Sequence, residues 1–395
     1  MRKLNEKFCI APFGVISISP KGFIRPCCVM NYDRMYNEPN PNIKDNSDSI
    51  VWPTPIIQEL REIMLGDNIV EKTPQCRYCW DAEAAGVKSY RQLSNPDYPL
   101  TLIDNPKIES LDIQFGSLCN LSCIMCGPTL SSHLYSTRKK LEKITTNTDL
   151  LQYYERTNMS DDNLDWTKDD ASYSKLLKLA EDATIISITG GEPLMNPRFK
   201  HFLEYLLNKD VKINLLRITT NGTHYDDEII DMVNKFSRVL FKISLEGLNE
   251  IDEFIRWPTN WSQKQENIKK FTQRFNSGTV QIMFSSVIQT LNIFYLKDVK
   301  DFVTSLEYSN KIFKFQIVQS TNINSVKNSS PEYISYYLEN FLGKVDIPFT
   351  LTVPSDNKKD VIMQTAMYSD MAKMQNKNIK DIFPIYYEFH KDYLK

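Results

Sequence analysis

The sequence predicts an α/β fold: a parallel sheet of strand–helix repeats, open and doubly wound or closed as a partial (β/α)6 barrel, preceded by a small cysteine-bearing α+β module. Three observations predict it. From about residue 107, short apolar runs alternate with amphipathic helical patterns, the signature of right-handed crossovers between parallel strands. The first 100 residues are instead irregular and proline-rich. Finally, all eight cysteines lie before position 127, whereas cysteines used as small core residues would scatter.

Within residues 1–100, "FGVISISPKGFIRPCC" reads as a hairpin: Val15, Ile16 and Ile18 form a strand, Pro20-Lys21-Gly22 the turn, and Phe23-Ile24 the return. "TPIIQELREIMLG" is a short amphipathic helix stopped by Gly66, and "NPDYPLTLIDNP" a linker. Over 107–320, strands fall at 109–115, 184–189, 213–219, 239–245, 279–287 and 312–318. Helical patterns lie at 129–143, 197–208, 225–236, 263–276 and 294–307. In such folds ligands gather at the carboxyl ends of the strands. Residues 144–171 break the rhythm, with seven Asp/Glu against two Lys/Arg; this acidic insertion is read as a solvated excursion, with a substrate lid as the alternative. Residues 321–395 form a helical extension, with helices at 331–342 and 358–376 and a last helix in "DIFPIYYEFHKDYLK".

The 395 residues are 42% hydrophobic and 24% charged, ordinary for a globular chain with a sizeable core. A formal net charge of -2 gives no sign of a basic nucleic-acid footprint. No apolar run reaches the roughly 18 residues that a membrane span needs, and "MRKLNEKFCIAPF" lacks the apolar stretch of a signal peptide. The expectation is a cytoplasmic protein with neither membrane nor nucleic-acid partners. There thiols stay reduced, and clustered cysteines mean metal more often than disulfides.

"FGSLCNLSCIMCGPT" gathers Cys119, Cys123 and Cys126 within eight positions. The spacing would also make one helical stripe, but Gly127-Pro128 would disrupt such a helix, and the segment follows a strand. A strand-end loop wrapping three thiolates around a metal fits better. Structural zinc normally takes four protein ligands, whereas a cubane iron–sulfur cluster takes one thiolate per iron. Three cysteines would therefore leave one iron open to an exogenous ligand.

Cys119-xxx-Cys123-xx-Cys126 after the first strand of a (βα)6 pattern resembles the cluster motif of radical S-adenosylmethionine (SAM) enzymes. "TGGEPLMNP" after the second strand resembles their GGEP motif, and "TTNGT" and "ISLEG" stand at the ends of the third and fourth. The resemblance implies a [4Fe-4S] cluster on the three cysteines with SAM at the open iron. Reductive cleavage of SAM would yield a 5′-deoxyadenosyl radical that abstracts hydrogen from the substrate. It also implies that the backbone at Gly190, Gly191 and Glu192 holds the methionyl ammonium, that Ser244 bonds the ribose or carboxylate, and that Arg256 pairs with a carboxylate. Met125 would lie against adenine, where relatives usually carry a larger aromatic residue. Asn221 either touches the cofactor or turns its own loop.

Cys9, Gly22 and Cys27 resemble the C-x9–15-G-x4-C signature of twitch and SPASM auxiliary-cluster modules, and Cys76 and Cys79 add a CxxC pair. Together the four could close one auxiliary [4Fe-4S] site, although the better-known modules follow the barrel, whereas this one precedes it. A structural zinc knot is the competing reading. Cys28 is left over, as an inert thiol, an alternate ligand or a hydrogen-atom donor. His133, His201, His224 and His390 show no metal-ligand spacing.

The resemblance thus implies an oxidoreductase-type radical SAM enzyme, served by a reductant such as flavodoxin or ferredoxin. Its substrate would be a peptide or protein side chain undergoing oxidation, cross-linking or epimerisation. A small-molecule, carbohydrate-type dehydrogenase of the same superfamily is the second reading, and a non-catalytic iron–sulfur scaffold or electron carrier the third.

Overall fold

A computed structural model describes residues 4–30, 41–45, 52–84, 86, 88–157, 165–317, 324–340 and 358–394. They fall into two compact units. The first is Met1–Ser117, Asn163–Ile218 and Lys235–Arg238; the second is Leu118–Asp162, Thr219–Asn234 and Val239–Lys395.

In the first unit, β1 (Val15–Ile18) and β2 (Ile24–Arg25) form the expected antiparallel hairpin, closed by Gly22 at φ +86°. A Cβ at Gly22 would stand 2.5 Å from Asn42 Oδ1, so only glycine fits the turn. β1 then runs parallel to β3 (Ser110–Gln114), with Ile16 opposite Leu111, so the cysteine-bearing segment shares a sheet with the first strand of the repeat. β4 (Ile185–Thr189) and β5 (Leu215–Thr220) continue it in parallel. Side chains alternate along these strands: Leu111, Ile113, Ile186, Ile188, Leu216 and Ile218 are fully buried on one face. The opposite face carries the polar row Ser17, Asp112, Ser187 and Arg217 in one register.

In the second unit, β6 (Val239–Ser244), β7 (Val280–Ile288) and β8 (Lys311–Ile317) are parallel neighbours. Helices Asp227–Val233, Trp261–Arg274 and Leu296–Ser305 occupy the expected stretches between strands. The α/β class and its strand–helix order are therefore as expected.

The structure departs from the expectation for residues 144–171, in which the solvated-excursion reading needs correction. Thr148–Thr157 is a helix that buries Leu150 and Tyr154 completely, because its apolar face joins the core of the second unit. In the first unit Trp166 is fully buried, its indole N–H donating to the Ser19 and Gln114 carbonyls at 3.1 and 3.2 Å. Residues 158–164 of this insertion lie outside the described residues. Asp170–Asp182 is a further helix that the sequence reading passed over, capped by Asp169, which accepts from Ser172 N–H at 2.8 Å.

The C-terminal helices Pro331–Asn340, Lys358–Gln375 and Pro384–His390 belong to the same core as Ile124, Phe254 and Ile288. No helix of the described residues is long and apolar enough to cross a membrane.

Candidate functional site

The three-cysteine segment is a loop, as its Gly127-Pro128 sequence requires, and the second unit fixes it from several sides. Ser122 and Ile124 donate backbone N–H groups to the carbonyls of Trp257 and Ile255, at 2.6 and 3.0 Å. Asn324 Nδ2 donates to the Ile124 carbonyl at 2.8 Å, and Cys126 N–H turns back to the Cys123 carbonyl at 3.0 Å. Ser131 caps helix Ser132–Ile144 and donates its hydroxyl to the Leu121 carbonyl at 2.6 Å. The Ser122 hydroxyl sits between His133 Nδ1 (2.6 Å) and Thr137 Oγ1 (2.7 Å). With its backbone so widely paired, the loop has little freedom to present its thiols otherwise.

Donors converge on the sulfurs. Leu121 N–H lies 3.4 Å and Asn221 Nδ2 3.9 Å from Cys119 Sγ, and Arg256 Nη1 lies 3.5 Å from Cys123 Sγ. The Cys126 thiol donates to the Gly127 carbonyl at 3.7 Å. Burial pushes the Cys126 thiol up to about 12, Cys119 adding to the rise while Arg256 pulls against it. Cys123 is also raised by burial, against the same arginine. Buried thiols disfavour their anions unless positive charge accompanies them. A set of three thiols, two of them raised by burial and two with N–H donors aimed at the sulfur, fits thiolates bound to an iron–sulfur cluster, which takes thiolate ligands. Among the described residues no three His, Cys, Asp or Glu side chains form a group that could hold a single metal ion.

Asn221 does two things at once. It donates to Asn120 Oδ1 at 3.0 Å as well as toward Cys119, and its own Oδ1 accepts from Thr223 N–H at 2.8 Å, which turns the TTNGT loop. Ser244 closes β6 opposite Ser285 of β7. Met125 is partly buried against the core of the second unit. Arg256 is buried and engaged: its Nε donates to the Glu246 carboxylate and its Nη1 to Cys123. Burial alone would lower Arg256, but the charges of Glu246 and Cys123 outweigh it and hold the guanidinium protonated. Glu246 has no role assigned from the sequence alone. Its signal was its place inside "ISLEG".

In the first unit, Gly190 (φ +80°) and Gly191 (φ +53°) follow β4 in a conformation that L side chains rarely adopt. A Cβ on Gly190 would stand 2.7 Å from Gln114 Cβ and 2.9 Å from its Cα, so the turn can pack this closely only without a side chain. Glu192 is buried and caps the following turn through Leu194 N–H at 3.2 Å.

The first unit also brings Cys9, Cys27, Cys76 and Cys79 together in one apolar cluster with Phe8, Ile10, Met64 and Trp80. Burial pushes Cys9 up to about 12 and Cys27 to about 11, and in both cases neighbouring cysteines of the set add to the rise. Contacts that the sequence reading missed hold the two halves of this set together. Arg91 donates to the Phe8 carbonyl at 3.0 Å and pairs with Glu83 at 2.7 Å, and Lys7 reaches the same carboxylate at 2.8 Å. Asn95 Oδ1 accepts from Ile10 N–H at 3.1 Å while its Nδ2 donates to the Phe8 carbonyl at 3.0 Å. Cys28 stands apart: its thiol donates to the buried Asp112 carboxylate and accepts from the Tyr90 hydroxyl.

Residues 113–288 match the family model of the radical SAM superfamily. No curated protein matches the chain. Among solved structures, SuiB of Streptococcus suis bound to S-adenosylmethionine is 15% identical over 81% of this chain and 64% of that one, with a TM-score of 0.38. SuiB bound to precursor peptide SuiA is 16% identical over 87% and 56%, with a TM-score of 0.37. TYW1 with a lysine-pyruvate adduct bound is 14% identical over 57% and 72%, with a TM-score of 0.30. The chain thus spans less than two thirds of the length of the first two, and likenesses at these TM-scores carry no weight for function. The family match encloses the three-cysteine loop, the glycine turn after β4 and the TTNGT and ISLEG strand ends in their order, so residues 113–288 of this chain are a radical SAM domain, of the superfamily whose enzymes use a [4Fe-4S] cluster and SAM.

Proposed function

We propose that this chain is a radical SAM enzyme that abstracts hydrogen from a peptide or protein side chain, with an auxiliary iron–sulfur cluster in its first 100 residues. The observation that carries the reading is the pair of cysteine sets, each gathered within its own unit: Cys119, Cys123 and Cys126 on a braced loop, and Cys9, Cys27, Cys76 and Cys79 in an apolar cluster. When bound, a cluster on the first set with SAM supplies a 5′-deoxyadenosyl radical. The polypeptide supplies thiolates, N–H donors to their sulfurs and a side-chain-free turn at Gly190 and Gly191, to which the motif assigns the methionyl group, with Glu192 alongside. Ser244, Met125 and Asn221 keep the roles the motifs give them, toward ribose or carboxylate, adenine and the cluster edge.

A twitch-like module before the domain favours a peptide substrate, and a reductant of the flavodoxin or ferredoxin kind would deliver the electron. The auxiliary set lies among apolar side chains, an environment that excludes water from a buried cluster and governs its potential. Cys28, hydrogen-bonded to Asp112, is a candidate hydrogen-atom donor to a substrate radical.

Oxygen-free reconstitution with iron and sulfide, followed by dithionite and SAM, tests the reading. About eight irons per chain and release of 5′-deoxyadenosine are expected for two cubanes. About four irons with tightly held zinc would replace the auxiliary cluster by a zinc knot. Iron without SAM cleavage would establish an electron carrier instead.

A further inference from the structure

Four charged side chains are buried in series in the second unit. Lys264 Nζ donates to Asp252 Oδ2 at 2.6 Å, and both side chains are fully buried. Asp252 Oδ1 accepts the backbone N–H of Glu246 at 3.2 Å. The Glu246 carboxylate accepts from Arg256 Nε, and its other oxygen accepts Val287 N–H at 3.2 Å. Asn292 Nδ2 holds the Glu246 carbonyl at 3.1 Å. Arg256 Nη1 then points at Cys123 Sγ, 3.5 Å away. Two lysine–aspartate or arginine–glutamate pairs removed from water cost desolvation that apolar packing would avoid, so they are weak devices for stability. They do fix one object well, the guanidinium.

We propose that Arg256 is a positioning residue for the cluster on Cys119, Cys123 and Cys126, donating an N–H···S hydrogen bond to Cys123 and raising the cluster's reduction potential, while Glu246 aims it and offsets part of its charge. The inference rests on the cluster assignment of the proposed function. Its physical basis is that net charge and hydrogen bonds to sulfur set such potentials, because they stabilise the more negative, reduced cluster. It also separates Arg256 from the carboxylate-pairing role that the sequence resemblance assigns. Its Nε is committed to Glu246 and its Nη1 to sulfur.

The test is a redox titration of the reconstituted full chain without SAM, followed by EPR, with SAM affinity for the oxidised protein measured in parallel. Arg256→Gln is expected to lower the midpoint, so that at the wild-type midpoint the reduced-to-oxidised ratio falls about tenfold, ~59 mV for one electron. Glu246→Gln is expected to shift it the opposite way, because the amide oxygen still accepts from Nε but the negative charge is gone. SAM affinity is expected to change little in either variant. Should Arg256→Gln take up no iron, Arg256→Lys keeps the charge without the fork and is expected to fall between it and wild type; if only Glu246→Gln loads, its midpoint alone decides. Unshifted SAM-free midpoints overturn the inference, as does a loss of SAM affinity with midpoints unchanged, which would return Arg256 to a carboxylate of SAM. A wild-type chain that forms no four-iron cluster at the three cysteines would overturn the function reading itself, and this inference with it.

Discussion

Cys27 and Cys28 are adjacent in the chain, yet Cys27 lies with Cys9, Cys76 and Cys79 while Cys28 turns to Asp112 and Tyr90. Backbone neighbours past a hairpin point in different directions, and here one faces apolar packing and the other a carboxylate on β3. Burial raises the Asp112 carboxyl above the usual carboxylate range, and the hydrogen bond from Cys28 pulls it back. Cys28→Ala is therefore expected to leave iron content unchanged while costing stability by ~1–3 kcal/mol, because a buried acceptor loses its donor. Cys27→Ala is expected to lose about four irons per chain. Iron and sulfide analysis beside urea denaturation separates the two; a Cys28 variant that lost the same iron would make Cys28 a ligand.

At the scale of elements, the strands were legible nearly residue by residue, since each is a short apolar run bounded by breakers. β4 was expected at 184–189 and spans Ile185–Thr189; β7 was expected at 279–287 and spans Val280–Ile288. Helix Asp170–Asp182 is hidden in the sequence because its acidic start merges with the polar stretch before it, although Tyr173, Leu176, Leu179 and Ala180 mark one face. The cysteine sets were legible by spacing alone. The clamps that assemble them were not: Arg91 meets the Phe8 carbonyl across 83 positions, and Arg256 meets Cys123 across 133, separations over which no local pattern operates. Helix Thr148–Thr157 tests the corrected view of the acidic insertion. Leu150 is fully buried, and Tyr154 on the same helix lies under Arg138 of helix Ser132–Ile144, at 4.7 Å. Leu150→Ala is expected to destabilise the chain by ~2–5 kcal/mol in urea denaturation. A value near zero would restore the solvated-excursion reading.

For the whole molecule, acid sensitivity has an identifiable contributor in the C-terminal region. His390 is fully buried, stacked on Tyr386 at 4.1 Å. Its Nδ1–H donates to the Tyr386 carbonyl at 2.9 Å, and its Nε2 accepts Ser330 N–H at 3.1 Å, which fixes the neutral ring. Burial lowers it to about 4 from its ordinary 6.5. Between those values the unfolded chain binds a proton that the folded chain refuses, so this contribution to stability is complete above pH 6.5 and is lost as pH falls toward 4. The loss amounts to roughly 2–3 kcal/mol. Denaturation midpoints from pH 7 to 4 are expected to fall more steeply in wild type than in His390→Gln; parallel slopes would remove His390 as the cause.

Iron chemistry at Cys119, Cys123 and Cys126 is the claim on which the function stands. Its most direct measurement is the EPR signal of the reduced chain with and without SAM, compared between wild type and a chain carrying alanine at all three positions. The expected result is a wild-type signal that shifts on adding SAM and yields 5′-deoxyadenosine, against a triple variant that keeps about four irons, shows no shift and forms none. A triple variant that cleaves SAM like wild type, or a wild-type signal indifferent to SAM, would contradict it.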